Sequence, residues 1–270
     1  MKKLTSLVLI ITILSLFALI AAAEERTTVR LGLTDESAEI LWNPVKEEVA
    51  AEGIDLEYVI FGDYTLPNSA LANGEIELNA FQHYTYLNNE IATFGYDLTP
   101  IGDTLITALN LYSRKVSSVD EIPEGGKIAV PNDAVNEGRA LNVIQAAGLI
   151  TIAEGKGLSP TLIDIVENPK NIEFVEVDAS QTATLLPDVD AAIVNGGYAV
   201  DAGLNPDADA IFYDDPNYYQ DKAYVNVIVA RTEDAENPAY LRIVEAYQSE
   251  RTKELYKTEF KGMYIPAWED

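Results

Sequence analysis

The sequence predicts an α/β protein built of two lobes. Short apolar runs typical of buried strands alternate with segments of helical periodicity through most of the chain. Leu105 to Ser113 is a long extended run, and a turn-rich connector and a fresh strand at Lys127 to Val130 follow it, as expected where a chain crosses from one lobe to another. Polar and aromatic side chains gather at the predicted strand ends, where the loops of such sheets present them to a ligand.

The N-terminal segment has the composition of an export signal. Two lysines precede an unbroken apolar run from Leu7, and three alanines end it at Ala23. We expect cleavage before Glu24. The apolar run is also nearly long enough to span a bilayer core of about 30 Å, so an uncleaved anchor at residues 1–23 is the alternative. Both interpretations place the folded part outside the cytoplasm, in the periplasm or on the outer face of the cell membrane.

The composition excludes several partners and chemistries. The formal net charge is −26, and it becomes −28 if the chain is cleaved before Glu24, because that segment carries Lys2 and Lys3 and no acid. Phosphate binding needs concentrated Lys and Arg, so nucleic acid is excluded as a partner. The chain has one histidine and no cysteine, and it lacks the G-x-S-x-G, G-x-G-x-x-G and H-E-x-x-H motifs. We therefore expect no enzyme, no cofactor and no metal.

The elements before the crossing follow from apolar periodicity and from helix-capping residues. Runs rich in β-branched and aromatic residues predict strands, and apolar spacing of three and four residues predicts helices. Proline begins helices and glycine ends them. The predicted elements are the strand Thr28 to Leu33, a helix starting near Asn43-Pro44 and ending at Gly53, the strand Leu56 to Phe61, a helical turn from Pro67-Asn68 to Asn73-Gly74, the strand Ile76 to Ala80, and a helix from about Gln82 to Phe94 with Gly95 as its cap.

The same signals continue after the crossing. The predicted elements are the strand Lys127 to Val130, the helix Asn136 to Ala147, the helix Leu162 to Lys170, the strand Ile172 to Val177, the helix Ala183 to Leu186, the strand Asp190 to Val194, a solvated acidic loop Asn205 to Asp221, the strand Tyr224 to Ala230 and a mostly helical segment Pro238 to Met263.

Aromatic residues and the single histidine fall together between Phe61 and Leu87. Tyr64 follows one predicted strand, and Phe81 and His83 follow the next, so these side chains should leave the sheet on the same side. Tyr86 stands in the first turns of the following helix. Any one of these rings alone is more often part of a core. The cluster, placed around polar turns, favours a binding site over a catalytic one.

Arg139 is predicted to lie in the first turn of a helix. Such a turn attracts anions through its N–H groups and its dipole, and a guanidinium beside it can hold a carboxylate by two parallel bonds. The alternative is an exposed arginine paired with Glu137 or with solvent. Two asparagines are further candidates for the site. Asn195 follows a strand and precedes Gly196-Gly197, which allow close backbone approach to a ligand or form a plain tight turn, and Asn226 interrupts an apolar strand.

Three motifs resemble the methionine-binding lipoprotein family, the substrate-binding components of methionine ABC importers. They are F-x-D-Y-x-x-P-N-x-A-L from Phe61, F-Q-H-x-x-Y-L from Phe81, and P-N-D-x-x-N-x-x-R-A-L from Pro131. The stretches from Asp188 to Leu204 and from Tyr264 to Trp268 are also similar, so the resemblance covers almost the whole mature chain. The ligand-binding residues that it implies, together with the side chains proposed above, are Tyr64, Phe81, His83, Tyr86, Asn136, Arg139, Asn195 and Asn226.

The resemblance implies a two-lobed, periplasmic-binding-protein-like fold of type II, in which each lobe is a mixed sheet flanked by helices. Lobe one would comprise residues 27–110 and 224–270, and lobe two residues 111–223. The expected ligand is L-methionine or a close relative, and the expected partner is an ABC transporter permease in the membrane. The protein is expected to be a monomer. Alternatives are a protein of the same fold for another amino acid or a methionyl dipeptide, and, more remotely, a surface interaction protein.

The sequence departs from the family pattern at several points. The family carries a cysteine after the signal segment for lipid attachment, and this chain has none. Asp35, Glu36 and Ser37 replace a loop that often holds Pro-Gly and a histidine in the family, so the resemblance assigns no binding role there. Thr85 stands where proline is common in the family. Residues 107–110 lack the Pro-Gly pair that precedes the Tyr-Ser pair in the family.

Overall fold

The structure is a computed structural model that describes residues 26–215, 222–260 and 263–268. The predicted signal or anchor at residues 1–23 lies outside these ranges. Within them, no helix has both the length and the apolar character needed to cross a membrane. The strands are β1 (Thr27–Leu33), β2 (Ile54–Ile60), β3 (Leu78–His83), β4 (Leu98–Asp103), β5 (Leu105–Thr107), β6 (Asn110–Tyr112), β7 (Lys127–Pro131), β8 (Thr151–Ile152), β9 (Ile165–Glu167), β10 (Glu173–Val177), β11 (Ala191–Val194), β12 (Ala210–Phe212), β13 (Asn226–Arg231) and β14 (Tyr264–Pro266).

The α-helices pack on the sheets and connect their strands. They are α1 (Ala38–Ala50), α2 (Pro67–Ala72), α3 (Tyr84–Phe94), α4 (Ala134–Ala146), α5 (Gly196–Asp201), α6 (Pro206–Asp209), α7 (Pro238–Tyr247) and α8 (Glu250–Thr258). Helix α3 ends as predicted, because Gly95 adopts a left-handed conformation with φ of 72° and its N–H bonds the carbonyl of Ile91.

Two five-stranded mixed sheets confirm the two-lobed α/β prediction. The first has the order β2-β1-β3-β13-β4, with β1 parallel to β2 and β3, and β13 antiparallel to both of its neighbours. The second has the order β10-β7-β11-β6-β12 and repeats this plan, with β6 antiparallel to β11 and β12. The predicted lobe boundaries, residues 27–110 with 224–270 and residues 111–223, stay predictions of where one lobe passes into the other.

Each sheet has its own apolar core. Leu31 and Val29 of β1 pack with Trp42 and Val45 of α1 in lobe one. In lobe two, the inner faces of β7 and β11 pack against α4, whose Leu141 is fully buried. Burial of this apolar surface, at roughly 25 cal/mol per Å², holds each sheet to its helices.

The crossing between lobes differs from the predicted long strand. The run breaks at Ala108 and Leu109 into β5, which pairs with the C-terminal β14, and β6, which enters the sheet of lobe two. The side of β5 that faces β14 places Tyr264 beside Thr107. The crossing therefore brings the end of the chain to the junction of the lobes.

Three predicted helix assignments are wrong. Helix α1 begins at Ala38, and Pro44 lies inside it rather than at its start. Pro44 has no N–H to donate to the carbonyl of Ile40, but Ile40 is exposed, so water can bond that carbonyl. Residues 162–170 form a 3₁₀ turn and β9, which pairs with β8, because β-branched residues fill a short segment between two prolines. Residues 183–186 form turns.

Two further segments differ in their bounds. The predicted loop 205–221 contains α6 and β12 in its described part, and residues 216–221 lie outside the description. Strand β3 extends to His83, so Phe81 and His83 are its last residues instead of following it. Helix α4 begins two residues earlier than predicted, which places Arg139 in its second turn.

Contacts join the lobes directly. The carboxylate of Asp201, at the end of α5 in lobe two, accepts the backbone N–H groups of Glu36 and Ser37 at 3.0 Å each. These groups precede α1 in lobe one, where a carboxylate interacts favourably with the helix dipole. The rings of Tyr64 and Tyr198 stack across the same junction with centroids 5.0 Å apart.

Candidate functional site

A cavity lies between the two lobes. Its volume is about 80 Å³, several times the roughly 10–15 Å³ that one water requires. All eight side chains predicted as site residues line it: Tyr64, Phe81, His83, Tyr86, Asn136, Arg139, Asn195 and Asn226. The structure thus brings together residues from the ends of β3 and β11, the starts of α3 and β13, and helix α4.

Aromatic rings form one wall of the cavity. Phe81 lies 5.7 Å from Tyr64 and 5.9 Å from Tyr86, measured between ring centroids, and Tyr64 and Tyr86 lie 6.0 Å apart. The hydroxyl of Tyr86 donates to the carbonyl of Tyr64 at 3.1 Å, which fixes the loop after β2 against α3. Rings at these distances and mixed angles make favourable edge and offset contacts and leave an apolar surface facing the cavity.

His83 is buried and neutral. Its Nδ1 accepts the backbone N–H of Tyr86 at 3.2 Å and so caps helix α3, which leaves the proton of the neutral ring on Nε2. Burial and the positive charge of Arg139 lower the pKa of His83 to about 3, while a hydrogen bond with Asn136 acts in the opposite direction. The imidazole therefore serves as a fixed hydrogen-bonding group and does not titrate near neutral pH.

Arg139 of helix α4 is buried at the junction of the lobes. Its Nη2 donates to Asp214 Oδ2 at 2.6 Å and to the carbonyl of Thr107 at 2.9 Å, and its guanidinium lies 4.2 Å from the ring centroid of Tyr224. The side chains of Arg139 and Asp214 are 3% and 4% exposed. The alternative of an exposed arginine paired with Glu137 is therefore wrong.

The bonds of Arg139 limit how it can meet an anion. A guanidinium presents parallel N–H groups on two edges, Nε with Nη2 and Nη1 with Nη2, and both edges include the nitrogen that already donates to Asp214 and Thr107. Two parallel bonds to another carboxylate would require one of those contacts to move. A single charge-assisted bond from another nitrogen would not.

Three polar side chains form a chain with a defined direction. The carboxylate of Asp133 accepts from Asn136 Nδ2 at 2.9 and 3.1 Å, so the amide oxygen of Asn136 faces away from it. That oxygen accepts from Asn195 Nδ2 at 3.0 Å. The order of donors and acceptors therefore leaves Asn195 Oδ1 as an acceptor at the cavity, and it is buried with no hydrogen-bond partner among the described residues.

Asn226 begins β13 directly opposite His83 in the register of the sheet. Its carbonyl accepts the N–H of Thr104 at 2.8 Å, and its half-buried side chain lines the cavity. The sheet thus fixes the backbone of Asn226, and the side-chain amide lies at the cavity between the lobes.

Several cavity residues were missed by sequence reasoning. The resemblance assigns no binding role to Asp35, yet it lines the cavity, and burial and the nearby carboxylate of Asp201 raise its pKa to about 6. Trp42 and Tyr247 pack with centroids 4.5 Å apart and line the same end. The sequence predicts that Asp214, the partner of Arg139, lies in a solvated loop. Its position after the apolar pair Ile211-Phe212 was the signal that could have placed it at a strand end.

The two glycines after Asn195 make room for side chains from elsewhere. A Cβ at Gly197 would lie 2.8 Å from Asp35 Oδ2, and a Cβ at Gly196 would clash with the side chain of Thr107. Neither glycine has a positive φ, so their role here is close packing rather than a special backbone conformation.

Two α/β lobes, with a cavity between them that is lined by aromatic rings, amides and a buried arginine, are typical of a solute-binding protein. The sequence profile of the NlpA lipoprotein family matches residues 29–268, and the chain belongs to that family. Membership of a family of lipoproteins agrees with the predicted export of this chain, although the chain has no cysteine.

Relatives and solved structures agree with this assignment. The chain is 41% identical over 240 residues to the D-methionine-binding lipoprotein MetQ of Salmonella typhimurium. The aligned residues cover 88% of this chain and 86% of the relative. It is 42% identical over 214 residues to outer membrane lipoprotein 3 of Mannheimia haemolytica, covering 79% and 80%.

Two solved structures show the same fold. A nutrient binding protein from Burkholderia cenocepacia bound to methionine superposes with a TM-score of 0.83 at 37% identity, covering 89% of this chain and 100% of that one. The substrate binding protein of a methionine transporter from Streptococcus pneumoniae gives a TM-score of 0.85 at 39% identity, covering 90% and 96%.

Proposed function

We propose that this protein binds L-methionine, or a close relative, between its lobes and delivers it to an ABC transporter permease in the membrane. The observation that carries the proposal is the composition of the cavity, in which an aromatic wall faces a buried arginine and a directed chain of amides. It works outside the cytoplasm as a monomer, it is not an enzyme, and its negative charge excludes nucleic acid as a partner.

Each part of an amino acid has a matching group in this cavity. Arg139 meets the carboxylate by one charge-assisted bond, because Nη2 holds Asp214 and Thr107. Asn136, Asn195 and Asn226 contact the polar backbone groups. Neutral His83 lies beside these amides, because its Nε2–H bonds Asn136, and no change of pH near neutrality alters its charge.

The rings of Tyr64, Phe81 and Tyr86 surround the ligand side chain. A thioether sulfur gains about 0.3–1.5 kcal/mol from each aromatic contact. Leucine or phenylalanine would fit such rings nearly as well, so the choice of methionine comes from the relatives, among them proteins described as D-methionine-binding and as bound to methionine.

The test is to identify what the purified protein carries and what it binds. Mass spectrometry of the small molecule released on denaturation should give the mass of methionine, and titration calorimetry on the stripped protein should show binding of L-methionine or D-methionine without turnover. Release of a different amino acid would change the ligand and keep the class. Absence of binding to any amino acid or methionyl peptide would overturn the proposal.

A further inference from the structure

Asp35 places a carboxylate in the cavity that the contacts of the fold do not balance. It follows β1, and the partners of its carboxylate among the described residues are the hydroxyl of Ser37, at 3.0 Å, and the amide of Ala38. No cation is among them. The carboxylate of Asp201 lies close enough to raise the pKa of Asp35 further, so two carboxylates bring negative charge to this end of the cavity.

Two more acceptors lie beside this carboxylate. Asn195 Oδ1 and Thr107 Oγ1 are buried, line the same cavity and have no hydrogen-bond partner in the part of the chain that the structure describes. The turn Asn195-Gly196-Gly197 connects all three groups, since Gly196 abuts Thr107 and Gly197 abuts Asp35. The direction of the Asp133–Asn136–Asn195 chain ensures that Asn195 offers an oxygen here rather than an N–H.

A primary ammonium group matches this arrangement. It carries three N–H donors and one positive charge, so it can satisfy several acceptors and a carboxylate together. We propose that Asp35 is the counter-ion of the ligand's ammonium group, with Asn195 Oδ1 and Thr107 Oγ1 completing the subsite. This inference rests on the proposed function and adds the residue that distinguishes an amino acid from a simple carboxylate.

The subsite also spans the two lobes. Asp35 belongs to lobe one, and Asn195 and Gly197 belong to lobe two. An ammonium group between them offsets the negative charge that both lobes bring to the junction. The same chemistry is offered by free methionine and by the N-terminus of a short methionyl peptide, so the experiment must separate these two sources.

The test compares Asp35→Asn with wild type by titration calorimetry at pH 7.5. The ligands are L-methionine, glycyl-L-methionine and 4-(methylthio)butanoate, which keeps the carboxylate and the thioether and lacks the ammonium group. Glu36→Gln is the matched control, because it removes the same charge from the adjacent, exposed position. Asp35→Asn should weaken binding of L-methionine or of glycyl-L-methionine, whichever places its ammonium group in the subsite, at least about tenfold. The affinity for 4-(methylthio)butanoate should change by less than about threefold, as expected for loss of a charge-assisted bond.

Each outcome decides the inference. Weakening of methionine alone, or of glycyl-methionine alone, supports the subsite and identifies the source of its ammonium group. Equal affinity of wild type and Asp35→Asn for every ligand overturns it, and so does equal weakening of ligands with and without the ammonium group. Loss of methionine binding in Glu36→Gln would also overturn it, as an effect of net charge. If wild type binds none of the three, the proposed function fails first. The unligated melting temperature of Asp35→Asn confirms that the variant folds.

Discussion

Replacing Arg139 by lysine tests the buried cation on which the ligand's carboxylate depends. Lysine keeps the charge, but its side chain ends one bond short of Nη2, the single nitrogen from which Arg139 donates to Asp214 at 2.6 Å and to the Thr107 carbonyl at 2.9 Å. We therefore expect the ammonium to keep only one of these two bonds. A hydrogen bond from a charged group contributes about 1.5–3 kcal/mol. At about 2–4 °C per kcal/mol for a chain of this size, the unligated melting temperature should fall by roughly 3–12 °C.

The same substitution should weaken methionine binding at least about tenfold, which corresponds to 1.4 kcal/mol. Thermal unfolding followed by circular dichroism and titration calorimetry measure the two effects. Arg242→Lys is the control, because Arg242 pairs with Glu48 and Glu52 at the surface and should lose under about 1 kcal/mol of stability and no affinity. A lower melting temperature with full affinity would refute the carboxylate contact and leave Arg139 as a structural residue. Unchanged values for both would refute the buried pair itself.

Three further predictions follow from the cavity. The ring protons of His83, the only histidine, should show no titration by NMR between pH 5 and 8, because its pKa is lowered to about 3; a shift centred near pH 6.5 would contradict this. Burial raises the pKa of Asp35 to about 6, so the folded state binds more protons than the unfolded state between about pH 4 and 6, and this residue's contribution to stability falls as pH rises. Denaturant titrations should therefore find unligated Asp35→Asn more stable than wild type by up to about 3 kcal/mol at pH 8 and by little at pH 4; an equal difference at both pH values would argue against this. Gly197→Ala should weaken methionine binding by roughly fivefold or more, measured by calorimetry, because its Cβ would meet Asp35 across the junction; full affinity would show that the lobes adapt.

Four central strands, β1, β7, β11 and β13, could be predicted closely from the sequence because most of their residues are buried whichever face they occupy. Thr28 to Leu33 and Lys127 to Val130 differ from β1 and β7 by a single residue each. Helices in short or proline-bounded segments could not be predicted as well. The apolar spacing of residues 162–170 suits a helix, yet the residues that decide the outcome belong to β8, its distant partner.

The site shows the same limit. Local sequence signals predicted all eight of these cavity residues, since they lie at or near strand ends or within the first two turns of a helix. The partners of Arg139 have no such signature, because Thr107 and Asp214 are 32 and 75 residues away in the chain. The same holds for Asp35, whose environment depends on Asp201 and Gly197 from the other lobe.

The place of β13 in the first sheet determines the order in which the protein can fold. All strands of the second sheet lie between Asn110 and Phe212, so lobe two can form before the C-terminal segment is synthesised. Strands β3 and β4 must wait for β13, which pairs with both of them, and until then they present open edges that favour aggregation. A chain that is exported unfolded crosses the membrane before this hazard arises. On refolding in vitro, we expect lobe two to form first. Lobe one should refold well only at low protein concentration, where its open strand edges do not aggregate.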